Sequence, residues 1–109
     1  MSLSTIREAI SKKVTITFEY NKTGKILGQR VGNPHAVFIM RRKDGSESTK
    51  VHIYQTGGVS DSAQVLPDFR TFDLLELTNV SIVEPAQQFQ ISDKYNPEWQ
   101  GYTFTIAKV

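Results

Sequence analysis

The sequence contains no cysteine, which excludes a disulfide framework, a thiolate nucleophile and a thiolate metal site and makes the reducing cytoplasm the expected location. Long apolar runs are missing too. No stretch approaches the roughly 18 residues that a membrane helix needs, and the start lacks an apolar signal-peptide core, so no membrane partner is expected. The motifs of common chemistries are also missing: there is no GxxxxGK(S/T) phosphate loop, no GxSxG elbow and no His-x-x-x-His metal spacing. Ser60, His35, His52 and Asp61 could be gathered into a triad on paper, but no motif surrounds any of them. The expectation is a protein that is not an enzyme, with no catalytic residue, metal or cofactor.

A chain of 109 residues carries one modest core, hence a single domain over 1–109. The net charge of +2 conceals an uneven distribution. Residues 1–50 hold ten cations against four acids, whereas 51–109 hold three cations against seven acids. Either the first half builds a basic face suited to an anionic partner, or these charges are solvated strand ends and turns.

Thr5 followed by Glu8 has capping-box spacing, and Ile6, Ala9 and Ile10 fall on one side of a helix expected over 5–12. From Val14 the period changes to two. Val14, Ile16, Phe18 and Tyr20 alternate with Thr15, Thr17 and Glu19 as a half-buried strand does. A turn over 21–24 leads to a second strand, Ile26 to Val31, which Asn33 and Pro34 separate from a third, Ala36 to Met40, because proline cannot donate to a ladder. Asp44 and Gly45 turn the chain into the next strand. Gly57 to Pro67 reads as a loop of the length that often binds or covers a ligand. Arg70 to Leu75 and Asn79 to Val83 complete the core. The expected fold is mainly β: a small, five-stranded, antiparallel SH3-like barrel over 14–84, preceded by the helix and followed by a C-terminal extension, 85–109, packed along its edge.

The stretch from Lys50 to Gly58 carries the functional expectation. Val51 and Ile53 point one way, and Lys50, His52, Tyr54 and Thr56 the other. An outer face with a cation and two rings suits recognition: a base could stack on Tyr54 while Lys50 takes a phosphate. The competing reading buries the Tyr54 ring under the long loop.

Arg30, Val31, Pro34 and His35, then Tyr54 and Gln55, then Phe69, Arg70, Phe72, Leu74 and Leu77 resemble, in order and spacing, the pattern of the bacterial WYL domain. The resemblance spans Ile6 to Val83, and Tyr95, Asn96 and Pro97 look like the tails of short free-standing members. Thr49, Lys50 and Val51 stand where the family's name-giving residues would fall, and Asp73 stands where the family tends to have an arginine. The resemblance implies an Sm-like SH3 barrel. It implies a regulatory sensor that binds a small anionic ligand, a nucleotide or single-stranded nucleic acid on basic and aromatic residues. A start so close to the barrel leaves no room for a helix-turn-helix, so operator recognition is not expected.

The candidate ligand-binding residues are therefore Arg30, His35, Lys50, His52, Tyr54 and Arg70. Arg30 offers a planar fork to a phosphate or carboxylate, or is an exposed strand arginine. His35 could donate to a ligand, although a histidine after proline also suits a turn satisfied by backbone. Arg70 either joins the pocket or neutralises Asp68, Asp73 and Glu76. Arg41, Arg42 and Lys43 form a hairpin tip that serves solubility or tracks a phosphate backbone. Trp99 is an anchor, a stacking platform or a dimer contact. The rival function is protein interaction or homo-oligomerisation through barrel edges, with Tyr102 to Val109 as a strand exchanged between subunits.

Overall fold

A computed structural model describes residues 2–60 and 65–109. Asp61 and the middle of the long loop lie outside the described residues. Helix α1, Ser2–Lys12, begins three residues before the capping-box spacing suggests, so Thr5 lies inside the helix and caps nothing. The Ser2 hydroxyl donates instead to the Leu77 carbonyl, 3.0 Å away. A helix this short is marginal alone. Ile6, Ala9 and Ile10 are buried, and each isoleucine contributes about 1.5–3 kcal/mol by leaving water.

Strand β1, Ile16–Tyr20, alternates buried and half-buried residues as its sequence dictates. Strand β2, Gln29–Arg41, corrects the expectation of two strands broken at Asn33 and Pro34. One continuous strand passes through both. On one edge it pairs with β1 up to Gly32 and with the last strand from Ala36, so Pro34 falls where neither ladder asks for its amide. On the other edge the register with β3, Glu47–Gly58, shifts between Pro34 and Ala36. Strand β4, Asp68–Asp73, meets β5, Leu77–Ile82, through a short 3-10 turn, Leu74–Glu76. The tail forms a second such turn, Gln100–Tyr102, and then β6, Thr105–Lys108.

The result is mainly β: one antiparallel sheet of six strands in the order β4-β3-β2-β1-β5, with β6 also paired to β2. The sheet is not closed. β4 and β5 stand at its two ends, and no ladder joins them among the described residues. β6 pairs with β2 of the same chain. No described helix is long and apolar enough to cross a membrane.

Two apolar clusters follow from the two faces of β2 and β3. Ile16, Phe18, Val37, Val51, Ile53 and Phe72 pack with α1 on the inner face. On the outer face Ala36 and Phe38 pack under Tyr102, with Met40 and Tyr95 beside them. On the expected recognition face of β3, the C-terminal segment thus packs over His52.

A basic cavity and an aromatic cluster

The six candidate residues separate into two groups. Arg30, Lys50 and Arg70, forty positions apart at the extremes, line one cavity of about 480 Å³. Lys22 and Lys25, from the turn that leaves β1, line it as well, together with Tyr20 and Phe72. Among the described residues, five cations therefore face a single carboxylate, Asp73.

Each basic residue is held by its element. Arg30 has no exposed surface. Its guanidinium lies 5.8 Å from the Tyr20 ring centroid and 5.5 Å from that of Phe72, and it donates to the Ile26 carbonyl at 3.1 Å. Gln55, also fully buried, accepts from Arg30 at 3.5 Å and donates to the carbonyls of Gly57 and Val59. The last turn of β3 can approach Arg30 this closely because residue 58 is glycine. Its φ is +86°, and a Cβ there would stand 2.6 Å from the Arg30 Cα. Arg70 donates to the Ser60 hydroxyl at 2.8 Å, so the serine of the paper triad meets a guanidinium.

Lys50 and Asp73 are register partners on β3 and β4. Lys50 and Lys22 both bind the Asp73 carboxylate. Hydrogen bonds from Lys22 and then Lys50 hold Asp73 at a pKa of about 2, and the same contact with Asp73 raises Lys22. Asp73 thus remains ionised and holds two of the cavity's ammonium groups.

In the second group, His35 and His52 pack against rings of the tail, and Tyr54 lies beside His35 and Phe69. His35 has no exposed surface. Its Nδ1 lies 2.7 Å from the Asn33 carbonyl and its Nε2 accepts from the Ser92 amide at 3.1 Å, which assigns the proton to Nδ1. Phe69, Phe89 and Tyr95 surround it at centroid distances of 4.9–5.2 Å. Burial lowers its pKa. Burial first, and the His35 charge second, depress His52 to about 4, and its Nδ1 meets the Tyr102 hydroxyl at 2.7 Å. Tyr54 is half-buried against Phe69, 5.1 Å between centroids. The ring beside the cations is therefore Tyr20, not Tyr54.

Sequence reasoning missed Lys22, Lys25, Tyr20 and Gln55. Two lysines bracketing the turn after β1 were a usable signal for the first pair. The hairpin tip is solvated: Arg41 pairs with Glu47, and Arg42 donates to Ser46 and Ser48. Among the described residues no three of His, Asp and Glu converge as metal ligands. No family model, curated protein or solved structure matches the chain, and the functional reading rests on this geometry.

Proposed function

We propose that the protein is a non-enzymatic, WYL-like regulatory or sensor module of the bacterial cytoplasm that binds a small anionic ligand, a nucleotide or the phosphates of single-stranded nucleic acid. The observation that carries the reading is the convergence of Arg30, Lys50 and Arg70 with Lys22 and Lys25 on one cavity. Low-dielectric walls around like charges attract a counter-ion more strongly than isolated surface lysines do. The planar guanidinium fork of Arg70 suits phosphate and carboxylate oxygens, while buried Arg30, held against Tyr20 and Phe72, adds its positive charge from behind. A sheet whose fifth strand returns to its first supports a relationship to Sm-like, SH3-like barrels.

Titration of a fluorescent oligonucleotide and of ATP at low and moderate salt tests this. Affinity is expected to fall as salt rises and to drop by about tenfold or more when Lys50→Ala and Arg70→Ala are combined, each lost charged contact being worth about 1.5–3 kcal/mol. Absence of binding, or binding indifferent to the double substitution, would reject it.

The two end strands of the open sheet, β4 and β5, favour a second reading, a protein-interaction or homo-oligomerisation module that adds strands at those edges. Sizing chromatography over a range of concentrations separates the two, since a concentration-independent monomer argues against this one.

A further inference from the structure

A second cavity, of about 250 Å³, shares no lining residue with the basic one. Its walls are rings: His52 from β3, Phe69 from β4, and Tyr95, Trp99 and Tyr102 from the tail. They brace one another. Trp99 stands at 87° to Tyr102 with centroids 5.1 Å apart, and at 32° to His52 at 5.3 Å. His52 is neutral near pH 7, held there by burial, and its hydrogen bond to Tyr102 fixes the ring. Lys94 and Asn96 complete the lining, so five of the seven residues come from the span 94–102. The tail therefore builds this cavity rather than merely covering the sheet.

The chemistry of the lining is selective. Rings that are neutral and mutually fixed accept a flat apolar body at little cost in side-chain ordering. Among the described residues no carboxylate lines the cavity, and the one permanent charge in the lining is the Lys94 ammonium. Lys94 lies 3.3 Å from Asp68 in an exposed pair, a contact of the kind worth about 0–1 kcal/mol and readily exchanged. An organic cation, which ring faces otherwise attract, would meet the Lys94 ammonium, whose one described acidic partner, Asp68, is already paired with it. A polyanion would find one cation here against five in the basic cavity. We propose that this cavity is a separate binding site for a small aromatic monocarboxylate, with its ring among Phe69, Tyr95 and Trp99 and its carboxylate on Lys94 in place of Asp68.

Benzoate is the probe, with cyclohexanecarboxylate as the same charge without a π-face and benzyltrimethylammonium as a ring of opposite charge. All three are titrated into the full chain at pH 7 and followed by proton–nitrogen NMR, in which Trp99 supplies the one indole N–H. Benzoate is expected to shift that signal and the amides of Lys94, Tyr95 and Asn96 saturably, with a dissociation constant on the order of 1 mM. Cyclohexanecarboxylate should bind at least about threefold more weakly, and the ammonium should give no saturable shift. Lys94→Met, at an exposed side chain, should leave the rest of the spectrum in place and weaken benzoate about fivefold or more. No saturable benzoate shift up to about 20 mM, an ammonium as tight as benzoate, equal binding of both carboxylates, or indifference to Lys94→Met would each overturn the proposal.

Discussion

The Gln55 side-chain oxygen lies 3.5 Å from a guanidinium nitrogen of Arg30, and neither residue has exposed surface. The same carboxamide spends its nitrogen on two carbonyls of the chain that follows, Gly57 and Val59. One neutral side chain thus ties the end of β3 to the arginine in the basic cavity. Gln55→Met keeps approximately the length and removes every one of these bonds. It should destabilise the fold by about 1–3 kcal/mol, the cost of leaving buried polar groups unsatisfied. Urea unfolding of the two proteins measures it, and a midpoint unchanged within error would mean that Gln55 does not hold Arg30 in place.

Asp73 competes with any ligand for Lys22 and Lys50. Asp73→Asn removes the competing charge and should tighten binding of a polyphosphate in the basic cavity about threefold or more, with a steeper loss on adding salt. Calorimetric titration of ATP into both proteins reads the effect, and weaker binding by the variant would show that the carboxylate organises the lysines instead of occupying them. The acid limb of stability follows from the same group. Its folded pKa of about 2 lies below the ordinary 3.8, so the stabilisation is complete above about pH 4 and is lost as pH falls through about 2. Asp73→Asn should flatten that part of the stability curve.

The strands of the inner core are legible because their sequence repeats every second residue, as in Val14 to Tyr20 and in Val51 and Ile53. Arg30 illustrates what is not legible. Polarity marks it as an exposed strand position, and neighbours brought from elsewhere in the chain, Tyr20, Phe72 and Gln55, help to make a buried arginine tolerable. The tail hides its role for another reason. Tyr95, Trp99 and Tyr102 have helical spacing, i, i+4 and i+7, yet the chain there forms only a short 3-10 turn, and with Phe89 they sit among glutamines, asparagine and proline that read as a linker. Phe89 and Tyr95 pack on His35, and Trp99 and Tyr102 on Phe38 and His52, so their positions answer to the outer face of β2 and β3 and the helical spacing misleads. Lys50 and His52 share a strand face, as alternation requires, yet they line different cavities because Lys50 turns to Asp73 and His52 to Tyr102.

His52 gives a pH dependence of the same sign as Asp73 in a higher window. Its folded pKa of about 4 lies below the ordinary 6.5, so between these values the unfolded chain binds more protons than the folded one. Stability is complete above about pH 6.5 and declines as pH falls towards about 4. His35, lowered in the same direction by burial, adds to the slope. His52→Gln should reduce the loss of melting temperature between pH 7 and pH 5 without abolishing it, because His35 remains. Thermal melts across that range measure the slope. An NMR titration of His52 that placed its pKa above 6 would refute the assignment.

Tyr102 tests whether the tail is an appendage or part of the fold. Its ring is 8% exposed and packs on Phe38 at a centroid distance of 5.2 Å, while its hydroxyl meets His52 at 2.7 Å. Burial first, with the nearby Tyr95 second, pushes its pKa up to about 12, so the phenol stays protonated, with a hydrogen to donate, at any ordinary pH. These two contacts can be removed one at a time. Tyr102→Phe loses only the hydroxyl and should cost about 0.5–1.5 kcal/mol, the usual net worth of a hydrogen bond. Tyr102→Ala also leaves a cavity beneath the tail and should cost about 3–5 kcal/mol. An appendage predicts near-zero cost for both, with local loosening of 94–109 alone, whereas a shared core predicts that Tyr102→Ala lowers the single cooperative unfolding transition of the whole chain. Hydrogen exchange at Val51 and Ile53, on the opposite face of β3 from His52, distinguishes them. Faster exchange there in Tyr102→Ala means that the outer ring cluster and the inner core unfold as one unit.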